Sequence, residues 1–264
     1  MNDRLCEKTV VITGASGGLG EQIAYECAKN RANLVLLSRQ YDKLLLLKEK
    51  IEREYHVRCL VKAVDISKPE SVEPLFKEIE KTCGAIDVLV NNAGYGVFAE
   101  AEEAVLVDIQ GMFAVNVVGL IACTQAVIPG MKKRKSGHII NIASQAGKMA
   151  TPKSSIYAAS KHAVLGFTNS LRMEMSRWNV YVTAVNPGPI ATDFFKTADK
   201  SGNYVKNLGR FILSPEKVAA KICRSMMTKQ REINVPRWMN TASIFYQLFP
   251  RMVEKIGRRA FLKK

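Results

Sequence analysis

Short apolar runs rich in β-branched residues alternate with longer amphipathic stretches along this chain, and no other feature limits its fold so tightly. Thr9-Val10-Val11-Ile12 reads as a strand, followed by a helix from Gly20 to about Asn30. Leu34 to Leu37 reads as a strand and Asp42 to Tyr55 as a helix; Arg58 to Val64 and Pro69 to Thr82 repeat the pattern. Val88-Leu89-Val90 precedes a long helical region from about Glu103 to Lys133. His138 to Ile142 is a strand, Ser155 to about Trp178 a helix, and Tyr181 to Val185 a strand. Ser214-Pro215-Glu216 carries the cap and first-turn chemistry of another helix start. Repeated βα units imply an α/β fold, a doubly wound parallel sheet with helices on both faces. Ligands bind such sheets at the carboxyl ends of the strands, so the residues just after each strand carry the functional information.

The 264 residues suit one domain of this kind. Hydrophobic residues make up 47% and charged residues 24%, which excludes a disordered or collagen-like chain. The six cysteines are scattered, with no Cys-x-x-Cys pair and no neighbouring histidine cluster. No metal site is expected from them, and their dispersion suits reduced thiols in a cytoplasmic protein. The first eight residues lack the apolar core of a signal peptide, and no apolar stretch reads as long enough to span a bilayer as a helix. The net charge of +15 fits a solvated surface, an anionic small ligand, an anionic membrane or nucleic acid. With no zinc, RNP or helix-turn-helix module in view, specific nucleic-acid recognition is not expected.

The first strand exits into Thr13-Gly14-Ala15-Ser16-Gly17-Gly18-Leu19-Gly20 and then a helix. Glycines here permit a tight turn and let the backbone approach a pyrophosphate, while the helix N-terminus offers unpaired N–H groups to the phosphates. A Gly-rich loop alone is weak evidence, but its position between the first strand and first helix is the one a dinucleotide site requires. The second strand ends in Ser38-Arg39, where an acidic residue would hold the ribose hydroxyl of NAD. Arg39 instead suits a 2′-phosphate, so NADP(H) is the expected cofactor. Asp65 and Ile66 follow the third strand and Asn91-Asn92-Ala93-Gly94 the fourth. Each is on the expected edge, though each also has the composition of a simple turn.

Tyr157 and Lys161 are four residues apart and share a helical face. A free tyrosine has a pKa near ~10, and a nearby ammonium favours the phenolate and lowers it. Such a pair can protonate a carbonyl oxygen as its carbon is reduced, or do the reverse. Spacing alone proves nothing, because Tyr25 and Lys29 repeat it inside the first helix. Position separates the two pairs: Tyr157 opens its helix, and Ser144 stands just upstream at the end of the fifth strand. Ser144 reads either as a substrate hydrogen-bonding group or as a turn cap.

These residues together resemble the short-chain dehydrogenase/reductase family. Thr13-Gly14-x-x-x-Gly18-x-Gly20 is similar to its cofactor loop, and Asn91-Asn92-Ala93-Gly94 to its segment after the fourth strand. Asn116, Ser144, Tyr157 and Lys161 match its four catalytic positions, and Pro187-Gly188 with Thr192 resembles its nicotinamide-side segment. The resemblance runs from about residue 5 to residue 235. It implies a Rossmann-like single domain over residues 1–236 with an extension over 237–264. It implies Tyr157 as general acid/base, Lys161 as its modulator and ribose ligand, Ser144 as the group orienting the substrate oxygen, and Asn116 as the holder of a relay water. It further implies that Gly14, Ser16, Gly18, Leu19, Gly20, Asn92, Ala93, Gly94, Pro187 and Gly188 line the cofactor, with Asp65 and Ile66 around the adenine and Ile190 and Thr192 at the carboxamide. Family members usually form dimers or tetramers through the helices that carry Asn116 and Tyr157. Met112 to Val118 is strongly apolar, which suits either such an interface or burial against the sheet.

The segment from Phe194 to Ser214 is expected to cover the site. It mixes Phe194, Phe195, Tyr204 and Phe211 with Lys196, Lys200, Lys206 and Arg210, a composition suited to an apolar substrate bearing an anionic group or to an ordinary polar loop. Tyr95, Gln145 and Lys153 are further candidates for the pocket. The expected activity is reduction of an apolar ketone, a 3-oxoacyl-thioester or another lipid-like carbonyl compound, or oxidation of the matching alcohol; a non-catalytic NADP(H) sensor is the competing reading. Beyond Arg237 the chain ends in a basic stretch in which Met252, Ile256 and Ala260 recur every four residues and Glu254 is the only acid. A basic amphipathic helix of this kind suits an anionic membrane surface, and equally a place on its own domain or on a partner subunit.

Overall fold

The computed structural model describes residues 3–199, 202, 209 and 212–261. The expectations placed on Lys200, Tyr204, Lys206, Arg210 and Phe211 lie outside these residues. Seven parallel strands form one sheet in the order β3-β2-β1-β4-β5-β6-β7. They are β1 (Thr9–Thr13), β2 (Asn33–Ser38), β3 (Cys59–Ala63), β4 (Val88–Asn91), β5 (Gly137–Ile142), β6 (Val180–Pro187) and β7 (Glu232–Val235). The helices between them are α1 (Gly18–Lys29), α2 (Tyr41–Tyr55), α3 (Val72–Cys83), α4 (Leu106–Phe113), α5 (Leu120–Arg134), α6 (Ser155–Ser176), α7 (Phe194–Ala198) and α8 (Pro215–Ser225); α9 (Arg237–Leu248) and α10 (Pro250–Phe261) follow β7.

The central strands read as continuous apolar runs because both faces are covered. Val10 and Ile12 of β1 join one core with Leu34 and Leu36 of β2 and the inner faces of α1, α2 and α8. Val11, Val35 and Leu37 point the other way, into a second core with Phe76, Cys123, Val127 and Leu171. This is the period-two alternation of a strand expressed on two buried faces. Strand order reverses between β1 and β4, so the loops after these two strands diverge and open a crevice at their carboxyl ends.

Two features differ from the sequence reading. β7 was not anticipated: of its four residues only Ile233 is buried, and its Glu232 and Asn234 hide a strand from any hydrophobic pattern. The region from Leu106 to Arg134 is one continuous helical stretch, α4 and α5 joined by a π turn at Ala114–Gly119. By length and composition it is apolar enough to cross a membrane, which corrects the expectation that no stretch reaches that length. Here it packs on the sheet through Leu120, Cys123, Val127 and Met131, all buried, and Met112 is buried as well. Its other side keeps Leu106, Val107 and Val118 exposed, so the apolar run serves the core on one side only.

Polar groups also pass through the core. Asn91 Nδ2 donates to Thr124 Oγ1 and Asn141 Oδ1, each at 2.9 Å, and Asn141 Nδ2 donates to Thr168 Oγ1. These bonds tie β4 and β5 to α5 and α6, the helices flanking the site. His138 is fully buried; its Nδ1 accepts from the Met227 backbone and its Nε2 faces Thr183 Oγ1 at 2.8 Å. Burial pushes its pKa down to about 3. The unfolded chain binds a proton near pH 6.5 that the folded chain refuses, so the stability from neutral His138 is complete above that pH and is lost as the pH falls towards 3. We expect wild-type stability between pH 6 and pH 4 to fall by about 1.4 kcal/mol per pH unit more steeply than that of His138→Asn. Denaturant titrations of both proteins across that range check it.

Candidate active site

The crevice is built first by the loop after β1. Gly14 takes a left-handed φ of +65°, and Gly17, extended, caps α1 without any side-chain hydrogen bond. The first-turn N–H groups of α1 therefore have no side-chain acceptor and are free to meet an anion. The loop is braced from the neighbouring strand. Asn92 Nδ2 donates to the carbonyls of Thr13 and Gly14 at 3.0 Å, while Thr13 Oγ1 accepts from the backbones of Asn92 and Ala93. Ser38 Oγ donates to Ser16 Oγ at 2.7 Å and so fastens the loop to the end of β2.

The opposite wall comes from α6. Tyr157 and Lys161 occupy its first turns, and both are buried. Lys161 Nζ donates to the Ile142 carbonyl at 2.9 Å and stands 5.8 Å from the centre of the Tyr157 ring. No carboxylate among the described residues compensates its desolvation, and burial pushes its pKa down to about 8. Ser144, two residues beyond β5, is extended, with its Oγ accepting from the Ala146 backbone at 3.0 Å. The capping reading is thus correct for one lone pair, and the hydroxyl proton stays available to donate.

Asn116 is fully buried within the π turn, a helix irregularity frequent at functional sites. Its Oδ1 accepts from the Tyr95 backbone, and its Nδ2 donates to the Tyr95 carbonyl and to Ser160 Oγ. The carboxamide therefore fixes the segment after β4 against α6, one residue before Lys161.

A cleft of about 700 Å³ joins these groups. It is lined by Gly14, Ser16, Gly18, Leu19, Asn92, Ala93, Gly94, Tyr95, Ser144, Gln145, Tyr157, Lys161, Pro187, Gly188, Ile190, Thr192 and Phe194, all anticipated from the sequence. Gly20, Arg39, Asp65, Ile66 and Asn116 are not on that lining. Gly20 lies beneath the loop, where an added Cβ would be 2.3 Å from the Gly14 carbonyl. Ile66 is buried in the second core with its carbonyl against Gly119. Arg39 is exposed just beyond β2. Asp65 accepts from the Ser67 hydroxyl and backbone; the hydroxyl contact, with the nearby Arg39 charge adding to it, holds its carboxyl below the ordinary range.

Several lining residues carry no sequence signal. Lys43, in the first turn of α2, brings a cation to the β2 end of the cleft. Phe98 stacks edge-on against Tyr157 at 6.0 Å and Phe194 at 6.5 Å, and Met149 and Met239 add apolar surface. Thr151 and Ser154 line the cleft where Lys153 was expected. Gln145 is buried with its Nε2 on the Asn186 carbonyl, while its Oε1 has no hydrogen-bond partner among the described residues. Only the folded chain brings these side chains together.

The arrangement fits a dinucleotide: an uncapped helix start beside close-approach glycines at one end, cations at the end of β2, and a tyrosine–lysine–serine group at the other end. A family model described as short chain dehydrogenase matches residues 8–202. The 3-ketodihydrosphingosine reductase of Bos taurus is 33% identical over 224 residues, spanning 81% of this chain and 67% of that protein. The NADP-dependent 3-hydroxy acid dehydrogenase of Schizosaccharomyces pombe is 31% identical over 237 residues, spanning 87% of this chain and 91% of that protein. L-sorbose reductase from Gluconobacter frateurii, crystallised with NADPH and L-sorbose, superposes with a TM-score of 0.81 at 30% identity, covering 89% of this chain and 97% of that one. The chain belongs to the short-chain dehydrogenase/reductase family, nicotinamide-dependent oxidoreductases acting on alcohol and carbonyl groups.

Proposed function

We propose that this protein is an NADP(H)-dependent carbonyl reductase acting on an apolar ketone, a 3-oxoacyl-thioester or another lipid-like ketone. The observation that carries the reading is the Tyr157 ring, set between Phe98 and Phe194 in an otherwise partly apolar cleft and backed by buried Lys161. Arg39 and Lys43 at the β2 end, where an acid would serve NAD, favour the phosphorylated cofactor. A 3-ketodihydrosphingosine reductase and an NADP-dependent 3-hydroxy acid dehydrogenase among the relatives support both halves of the reading.

The glycine loop and the α1 N-terminus hold the pyrophosphate, with Ser16 and Leu19 beside it. Arg39 and Lys43 hold the 2′-phosphate, and Asp65 and Ile66 border the adenine. Asn92, Ala93 and Gly94 run along the middle of the cofactor; Pro187, Gly188, Ile190 and Thr192 flank the nicotinamide. The bound cofactor supplies or accepts the hydride. Ser144 donates to the substrate oxygen and orients it. Tyr157 gives its phenolic proton to that oxygen during reduction and takes it back during oxidation. Lys161 binds the ribose and, while charged, stabilises the phenolate. Asn116 keeps the Tyr95 segment in place and positions a relay water towards Lys161. Tyr95, Gln145 and Phe194 meet the substrate. Both Tyr157 and Lys161 are in the cleft, which argues against a non-catalytic sensor.

The same reading includes residues 1–236 as the catalytic domain, 237–264 as an extension, and a cytoplasmic enzyme in peripheral contact with anionic membrane. It also includes a homodimer or homotetramer, for which the exposed Leu106, Val107 and Val118, together with Met173 on α6, provide apolar surface. The test is initial rates with NADPH and NADH over a ketone panel, with Arg39→Asp in parallel. We expect NADPH to be preferred and the variant to raise the KM for NADPH by about ten- to a hundredfold, the loss of charge-assisted phosphate bonds. A wild-type preference for NADH overturns the cofactor assignment.

A further inference from the structure

The two helices after β7 serve different neighbours at their two ends. The first turn of α9 belongs to the catalytic cleft, because Met239 is part of its wall. Gly188 makes this possible: a Cβ there would be 2.8 Å from the Met239 sulfur. Asn240 Oδ1 accepts from Lys148 Nζ at 3.0 Å, and Lys148 also pairs with Glu232 of β7 at 2.5 Å. Lys148 follows the turn that starts at Ser144, so the base of α9 is fastened to the catalytic serine segment.

Further along, the side chains turn outward. Phe245, Phe249, Met252 and Ile256 are 50%, 51%, 45% and 77% exposed, and Leu248 beside them is 66% exposed. Phe245 and Phe249 are four residues apart at the end of α9, and Met252 and Ile256 four apart on α10, which puts each pair on one side of its turn; Phe249 itself leaves helical geometry (φ −133°, ψ 58°), so the chain bends between the two pairs. The rings of Phe245 and Phe249 meet across the last turn of α9, 5.7 Å between centroids, just before the bend into α10. Single exposed apolar side chains are ordinary, but a contiguous run marks a contact surface. Arg251 and Lys255 flank this run and are exposed. Glu254, the sole acid after Arg237, accepts a hydrogen bond from the Tyr246 hydroxyl. Exposed aromatic and aliphatic groups bordered by cations match the boundary of an anionic bilayer, where headgroups meet acyl chains. Nucleic acid would use the cations and leave the apolar face uncovered.

We propose that α9 and α10 dock on anionic phospholipid bilayers, and that docking turns the mouth of the cleft beside Met239 towards the lipid, so that the ketone enters from the bilayer. The docking surface gives the peripheral membrane contact of the proposed function its residues, and the entry route rests in addition on the reading of the cleft as a site for an apolar ketone.

The test sediments the full-length protein with vesicles of phosphatidylcholine alone and with vesicles that also contain phosphatidylglycerol. The wild type is expected to pellet with the anionic vesicles at least about tenfold better than with neutral ones, and to be released by high salt. Arg251→Glu with Lys255→Glu, and separately Phe245→Ser with Phe249→Ser, are expected to stay in the supernatant. Both variants are expected to keep the wild-type kcat/KM on a water-soluble ketone and to lose about tenfold on a long-chain ketone carried in anionic vesicles. Failure of the wild type to pellet, or pelleting unchanged in both variants, overturns the docking surface. Failure to pellet with a lower oligomeric mass in the serine variant assigns the face to a second copy, and retention on duplex DNA alone assigns it to nucleic acid; either overturns the proposal. Docking without a vesicle-dependent difference in rate overturns the entry route. Inactivity on every ketone overturns the catalytic reading and the entry route together, while sedimentation decides the docking surface by itself.

Discussion

Replacing Tyr157 with phenylalanine is expected to lower kcat by about a thousandfold while leaving NADPH affinity within about threefold of wild type, the usual scale for loss of a positioned general acid. The substitution removes one oxygen. The ring keeps its contacts with Phe98 and Phe194, and Lys161 keeps its bond to the Ile142 carbonyl. A merely structural role would show as a lower melting temperature with kcat largely intact. The pH profile gives a second readout. Lys161 loses its charge as the pH rises through about 8, and with it the field that supports proton transfer at Tyr157. Ketone reduction by the wild type is therefore expected to decline above that pH. Single-turnover rates with NADPH, measured alongside a binding titration, separate loss of chemistry from loss of cofactor.

Gly20→Ala is expected to reduce NADPH affinity by at least about a hundredfold and to cost about 1–3 kcal/mol of stability through overpacking. The new methyl group would meet the Gly14 carbonyl at 2.3 Å and Asn92 Nδ2 at 2.5 Å. Those two atoms hydrogen-bond each other at 3.0 Å, so neither can retreat without opening the brace that shapes the loop. Gly17→Ala is the control. Its Cβ meets nothing within 4 Å and its backbone is extended, so a melting temperature near wild type is expected. Calorimetric titration with NADPH and thermal melts of both variants check the contrast. A wild-type affinity for NADPH in Gly20→Ala would mean that the loop does not hold the cofactor as described.

Much of this was legible in the sequence for physical reasons. Fully buried parallel strands must be apolar on both faces, so β1, β2 and β5 stand out as runs such as Thr9-Val10-Val11-Ile12. Backbone turns that approach phosphate need glycine, so the loop from Gly14 to Gly20 also stands out. The motif positions Ser144, Tyr157 and Lys161 meet in the cleft because each follows or faces a strand end. What escaped notice has equally physical causes. β7 is short and half polar at the edge of the sheet, where pairing to β6 rather than hydrophobicity defines it. The π turn at Asn116 arises inside an apolar helical pattern that gives no sign of the extra residue. Lys43, Phe98 and Met239 are ordinary residues in their own segments, and they reach the cleft only through the packing of α2, the β4 loop and α9. The charge of Arg39 is plain in the sequence, but its exposure and its place beside Asp65 follow only from the fold.

The most direct test of the central claim uses NADPH deuterated at the transferable position of its nicotinamide ring, incubated with the protein and the best ketone of the panel. Mass spectrometry of the alcohol is expected to find the deuterium on the carbinol carbon, with the hydroxyl proton drawn from water, and with no product from Tyr157→Phe on the same timescale. Alcohol formed without the label, or formed equally well by the phenylalanine variant, would contradict the account.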